Sequence, residues 1–293
     1  MRGRIVAAVV AAVLLAAAFT GPDKSAPADG APGWPDHAGS APTGSGAELV
    51  DPVDLIGTWR LTDTGDPGDR IVRLGPDDLW VWRECGVAGG TWRADHGGRF
   101  VAYLSHATGE CLDVAASTPQ WLARAVSFEV AGEERVLRDA GGAVTARLLP
   151  GGEPTAGPDL APSLAQPPEV TDEVREAFAP AEPLPPALVP PAAEELVGRW
   201  VPELQPASAE PAYVALSADG SWEGSDGCNR QAGRWVAGPD GVLLAVAGPS
   251  TMIGCDNVPV GGWLAATWRA GLDGDRLVLL DREGGQLGTL VRG

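Results

Sequence analysis

The chain has 293 residues, a length for about two domains of ordinary size. Its 39 acidic and 21 basic residues give a formal net charge of −18, which leaves no electrostatic footprint for nucleic acid or anionic lipid. The acidity is read as solubility by self-repulsion, and the Ala, Gly, Pro and Arg bias with one lysine, Lys24, as that of a high-GC bacterium.

At the N-terminus, Arg2 and Arg4 precede an unbroken apolar run from Ile5 to Phe19. That run is short for a bilayer span and has the charge pattern of a secretory signal. Small-x-small cleavage sites follow Ala18 and Ala28, so residues 1–28 are expected to form a signal peptide. If it stays uncleaved, it is the one membrane contact expected. No Cys lies near the end of the run to carry a lipid. Residues 29–52 are rich in Pro, Gly, Ser and Ala and read as a disordered tether, which includes Trp34.

The remainder states one pattern twice. Leu55-Ile56-Gly57-Thr58-Trp59 reappears as Leu196-Val197-Gly198-Arg199-Trp200. Cys85, Gly90-Thr91-Trp92, Cys111 and Trp121-Leu122-Ala123 follow the first. Cys228, Gly233-Arg234-Trp235, Cys255 and Trp263-Leu264-Ala265 follow the second. A period of about 140 residues is too long for a solenoid, so each copy should fold on its own core. Copy one covers residues 53–149 and copy two residues 194–293. Residues 150–193, with eleven prolines between Pro154 and Pro191, predict a semi-rigid linker. Thr171 to Phe178 predicts a short helix inside it, capped by Thr171, with Val174 and Phe178 on one face.

Within copy two the segments are short and β-like. They are Leu196 to Val201, Ala212 to Leu216, Ser221 to Gly224, Gly233 to Val236, Val242 to Val246, Asp275 to Leu280 and Gln286 to Leu290. Gly238-Pro239-Asp240-Gly241 predicts a tight hairpin turn. From Gly262 to Leu272, Trp263, Leu264, Thr267, Trp268 and Leu272 recur at helical spacing. In copy one, Trp121, Leu122, Ala125 and Phe128 do the same after Thr118-Pro119. The fold class expected is mainly β: two small antiparallel barrel-like domains, each with one helix before the last hairpin.

Four Cys permit three pairings. The repeat selects Cys85 with Cys111 and Cys228 with Cys255, closing loops of about 27 residues worth roughly 3.5 kcal/mol each. A metal set is the rival, but there is no Cys-x-x-Cys, and His96 and His106 occur in copy one alone. Eleven Trp invite comparison with a sugar-binding platform. Eight fall in matched pairs, Trp59/Trp200, Trp80/Trp222, Trp92/Trp235 and Trp121/Trp263, which favours core roles. Unmatched Trp82 and Trp268 are the surface candidates.

Catalytic sets are missing. There is no His-Glu-x-x-His, no Gly-x-Ser-x-Gly and no phosphate loop, and copy two has no His. Asp219-Gly220 has no calcium-loop spacing. Asp226 and Asp256, beside the Cys residues, form a carboxylate pair for acid–base work on paper, but loop carboxylates near a staple are the ordinary case.

Gly227-Cys228-Asn229, Gly233-x-Trp235, Ser250-Thr251-Met252-Ile253-Gly254-Cys255, the following helix and Leu277-Val278-Leu279-Leu280-Asp281 together resemble the META domain family, the HslJ-like envelope proteins of bacteria. The opening Leu196-Val197-Gly198-Arg199-Trp200 fits it too. The resemblance covers nearly all of copy two. It implies a small, mostly antiparallel β domain with one helix, in the periplasm or outside the cell, and no enzymatic activity. The family is associated with heat-shock, virulence and drug-tolerance contexts; no cofactor and a role in binding or envelope maintenance under stress are expected here. Copy one is degenerate: Glu84-Cys85-Gly86 replaces Gly-Cys-Asn, and Thr108-Gly109-Glu110-Cys111 is one residue short. Because Gly is the substitute, Asn229 is expected to hold a tight turn by tolerating unusual backbone angles.

The expected protein is an exported, monomeric, non-enzymatic binder of an unknown protein or small apolar ligand. Two rivals stand beside it. One is a lipocalin-like carrier, kept alive by the Gly-x-Trp opening and ended by a solid interior. The other is a secreted protease inhibitor presenting a rigid loop from a stapled β domain.

Overall fold

In the first repeat, five-to-nine-residue stretches turn back on one another at Gly- and Asp-rich corners. The computed structural model describes residues 49–66, 68–109, 111, 118–155, 160–205 and 210–293. The signal peptide, Trp34 and all of the tether before residue 49 lie outside the described residues. Copy one forms β1 (Gly57–Thr62), β2 (Asp69–Leu74), β3 (Leu79–Arg83), β4 (Gly86–Ala94), β5 (Phe100–Ala107), α1 (Gln120–Arg124), β6 (Ser127–Ala131), β7 (Glu134–Arg138) and β8 (Val144–Pro150). In the linker lies α2 (Asp172–Ala177). Copy two forms α3 (Ala193–Leu196), β9 (Gly198–Pro202), β10 (Tyr213–Leu216), β11 (Ser221–Ser225), β12 (Arg230–Ala237), β13 (Leu243–Ala247), α4 (Val260–Ala266), β14 (Arg269–Asp273), β15 (Arg276–Leu280) and β16 (Gln286–Arg292).

Each copy is one curled, eight-stranded antiparallel sheet. The neighbour orders are β5-β4-β3-β2-β1-β8-β7-β6 and β13-β12-β11-β10-β9-β16-β15-β14. The second repeats the first strand for strand. In each, the sheet curls until its two ends meet at a single bridge, Arg99 to Ser127 and Val242 to Arg269. The mainly β, barrel-like expectation holds. Three strands follow each helix, however, and the helices are shorter than the spacing predicts. Thr267 and Ala125 leave the helix with ψ of 136° and 124°. Arg269–Asp273 and Phe128 then join the ladder instead. A five- or seven-residue helix has little stability of its own, whereas pairing with β15 or β7 gives these residues ladder hydrogen bonds along one side.

The barrel interiors are filled by side chains. Trp59, Trp92, Phe100, Trp121 and Leu148 share one core, and Trp200, Trp222, Trp235, Leu243 and Leu264 the other. The indoles of Trp59 and Trp200 donate to Leu55 O and Leu196 O at 2.8 and 2.7 Å, the same bond in both copies. One matched pair fails. Gly90 faces Leu79, while Gly233 faces Trp222. Leu79 therefore occupies the position of Trp222, and Trp80 sits one residue on, facing outward; a one-residue offset exchanges the two faces of a strand. Gly233 leaves room for Trp222, whose Nε1 would lie 2.6 Å from any Cβ there.

The two barrels pack together, and the described residues belong to one compact unit. Val101 and Tyr103 on the outer face of β5 meet Val236, Leu244 and Val246 on the outer faces of β12 and β13. The run Val242 to Val246 is apolar throughout because β13 buries one face in its own barrel and the other against its neighbour. Arg93 of β4 crosses this junction. Its guanidinium donates to Ala265 O at 2.6 Å and Thr267 O at 2.7 Å, where α4 ends, and lies 4.5 Å over Trp268. Burial lowers its pKa to about 10.

The Pro-rich segment is docked. Leu160 covers Trp82 and Val87, and Trp82 donates to Thr155 O at 3.1 Å. Thr171 caps α2, accepting from Val174 N at 3.3 Å. Val174 and Phe178 pack on the first core, with Phe178 5.6 Å from Trp92. Val189 bridges to Leu272 of the second barrel. Trp82 and Trp268, expected at the surface, are thus covered by the linker and by Arg93. The sequence could not show this, because what covers them comes from far along the chain.

Candidate functional site

The site lies in copy two, where β11 ends and the chain turns into β12. Asp226 makes this turn. Its Oδ1 accepts from Cys228 N at 2.8 Å and from Asn229 N at 2.6 Å. Its Oδ2 accepts from Asn229 Nδ2 at 3.0 Å and Asn257 Nδ2 at 2.7 Å. Partial burial pushes this carboxyl up, but the four hydrogen bonds outweigh it and hold it below the usual carboxylate range. Such a group stays ionised and fully bonded, which suits a turn clamp and not a general acid.

Asn229 is 6% exposed, and its amide joins its own turn to a neighbouring loop. Oδ1 accepts from Thr251 Oγ1 and from Ile253 N, both at 2.7 Å. Nδ2 donates to Ile253 O at 3.0 Å as well as to Asp226. The amide orientation follows from chemistry, since Ile253 N needs an acceptor and Ile253 O a donor. The disulfide Cys228–Cys255, with Cα atoms 6.6 Å apart, ties down the loop's far end. Ser250 Oγ reaches Arg230 O at 3.2 Å at the near end.

Between these anchors stands an exposed apolar tip. Met252 is 97% exposed and Ile253 60%. No described hydrogen bond engages the Met252 N–H or C=O. Neither Thr251, Met252 nor Ile253 has a positive φ.

The structure therefore brings together Gly227, Cys228, Asn229, Thr251, Met252 and Cys255. Gly233 and Trp235 belong to the core: Trp235 donates to Ser217 O and Ser221 O at 3.1 and 3.0 Å. Asp256 is exposed and makes no described contact with Asp226. The expectation for Asn229 needs correction. It does not tolerate a strained backbone; it is absent from the positive-φ residues, and its side chain does the work. Gly86 replaces it for a different reason. At φ 146° it lies so close to segment 108–109 that a Cβ would meet Thr108 O at 2.3 Å. Copy one joins its two segments backbone to backbone beside Cys85–Cys111, whose Cα atoms are 4.9 Å apart, and Cys111 N donates to Cys85 O.

Ile253, Asn257 and Asp226 as a clamp went unrecognised in the sequence. The adjacent apolar pair Met252-Ile253, amid Gly, Pro, Ser and Asn, was the available signal. In copy one, His96 is bonded to Phe178 O at 2.9 Å and His106 lies edge-on to Trp80. No group of three or more metal-ligating side chains occurs among the described residues. Among them, no helix is long and apolar enough to cross a membrane. The two disulfides are compatible with an extracytoplasmic location. In comparisons with protein families, curated proteins and solved structures, nothing matches this chain.

Proposed function

We propose that the chain is an exported, non-enzymatic recognition protein of bacterial origin with META-like architecture in its second barrel, and that segment 250–257 is its recognition edge. One observation carries this reading: among the described residues the most exposed large apolar side chain, Met252, stands on a loop held by the Asn229 amide and by the Cys228–Cys255 disulfide. An apolar tip held rigid in water loses little further freedom when a partner covers it. A solvent-facing Met and Ile side by side otherwise cost solubility. Stress-related work in the cell envelope fits the resemblance of copy two and the disulfides. The carrier alternative lacks support, because Trp59, Trp92, Trp200 and Trp235 fill the spaces a ligand would need.

The test compares wild-type protein with Met252→Asp/Ile253→Asp, each immobilised and exposed to secreted and cell-envelope proteins. The reading expects partners retained by the wild type and lost by the variant at unchanged melting temperature. Identical retention by both overturns it.

A further inference from the structure

We propose that Thr251-Met252-Ile253 is a substrate-mimicking inhibitory loop for a serine endopeptidase with an open apolar specificity pocket, with Met252 filling that pocket. This rests on the recognition edge described above and names its partner. Three observations converge on it.

The first is presentation. Met252 stands clear of the barrel, and its backbone N–H and C=O are unengaged. An endopeptidase needs both to bind a segment as substrate. Met is long, unbranched and uncharged, which suits a hydrophobic slot and not one with a carboxylate at its base.

The second is the placement of Asn229. Its amide holds Thr251 Oγ1, immediately before Met252, and both Ile253 N and Ile253 O, immediately after it. The anchors thus straddle the bond a protease would cut. Attack by the protease serine Oγ on the Met252 carbonyl forms the acyl–enzyme and breaks the Met252–Ile253 bond. The proton from the serine, carried by the protease's own base, ends on the freed Ile253 amine. In an ordinary substrate that amine diffuses away and water takes its place. Here Asn229 keeps Ile253 beside the acyl carbon, where its amine re-forms the peptide bond at high effective concentration. Water can complete hydrolysis only slowly.

The third is the staple. Cys228 lies before the cut and Cys255 after it, so the two fragments remain one molecule through Cys228–Cys255. β11 and β12 lie before the cut and β14 to β16 after it, and all stay within one sheet. Cleaved and intact forms are therefore interconvertible, and the loop is preorganised in both.

The test uses the full chain against chymotrypsin-, subtilisin- and trypsin-type endopeptidases, following hydrolysis of a small peptide substrate. Inhibition of a chymotrypsin- or subtilisin-type enzyme at micromolar concentration or below is expected, with a single slow cut at Met252–Ile253 seen under reducing conditions alone. Met252→Asp should weaken inhibition by about 100-fold or more, the scale on which a specificity pocket rejects the wrong group. Met252→Lys should shift inhibition toward the trypsin-type enzyme, a gain that loss of folding cannot imitate. Asn229→Ala should turn the loop into a faster substrate. Absence of inhibition by the wild type, a cut elsewhere, or no shift with Met252→Lys overturns the proposal. If loop-dependent partners are still retained in that case, the inhibitor assignment fails while the recognition edge stands. If nothing is retained, both fail.

Discussion

Asn229 shows how one side chain governs a loop. Removing its amide leaves Ile253 N, Ile253 O and part of Asp226 without partners next to a buried position. Asn229→Ala is expected to cost about 1–3 kcal/mol, read by urea unfolding, and to speed exchange of the Ile253 amide without altering exchange in β15. Two carboxylates give opposite pH signatures. The folded pKa of Asp226 is lowered, so its contribution is present above the unfolded value near 3.8 and is lost as pH falls through the folded one. For Asp69, burial outweighs the hydrogen bonds from Trp121 at 2.7 Å and Arg83 at 2.6 Å, and its pKa is raised. Its folded form binds a proton more readily than its unfolded form, so it adds stability as pH falls through the raised value toward 3.8. Urea titrations from pH 6 to pH 3 should show Asp226→Asn removing an acid-induced loss and Asp69→Asn removing an acid-induced gain. Unchanged pH slopes in both variants would refute these assignments. The side-chain role of Asn229 was hidden in the sequence. Its loop partners, Thr251 and Ile253, lie more than twenty residues away, and a turn beside a Cys looks the same whether backbone or side chain holds it.

At the scale of elements, the Pro-rich segment behaves as a strap. Its prolines limit the unfolded chain's freedom, while Leu160, Val174 and Phe178 supply apolar contacts on barrel one. Phe178→Ala should destabilise by about 2–3 kcal/mol, below the cost of a fully buried Phe because the side chain is only partly buried. Limited proteolysis should then cut within residues 160–190 first. The helix at Thr171 was legible because capping is local. That it docks was legible only as a shared face of Val174 and Phe178 with no stated target. The short strands and the Gly238–Gly241 turn were legible for the same local reason, and Asp240 and Gly241 do take positive φ of 56° and 75°. The helix ends were not, because a short apolar spacing fits both helix and strand and the neighbouring strand decides.

Across the whole molecule, Arg93 acts as the pin between barrels. It fills carbonyls at the end of α4 that no other described donor reaches, with its charge on the favourable side of the helix dipole. Calorimetry of the wild type should give one cooperative transition. Arg93→Ala leaves buried carbonyls unpaired and is expected to cost about 3 kcal/mol, splitting the transition in two while each barrel stays folded. A single transition at unchanged temperature would show that the apolar contact of Val101, Val236, Leu244 and Val246 suffices alone.

The sequence by itself determined that two copies of one β domain are present, which cysteines pair, where the turns fall and that a short helix interrupts the strands. These depend on local periodicity, turn chemistry and repetition, all of which survive in one dimension. The tertiary structure alone decided that Trp222 faces inward while Trp80 does not, that the linker and Arg93 cover Trp82 and Trp268, and that β13 is buried on both faces. It also decided that Asn229 grips Thr251 and Ile253 so that Met252 stands free. Strand register, docking and side-chain reach join residues distant along the chain, and their energies exist only once those residues meet.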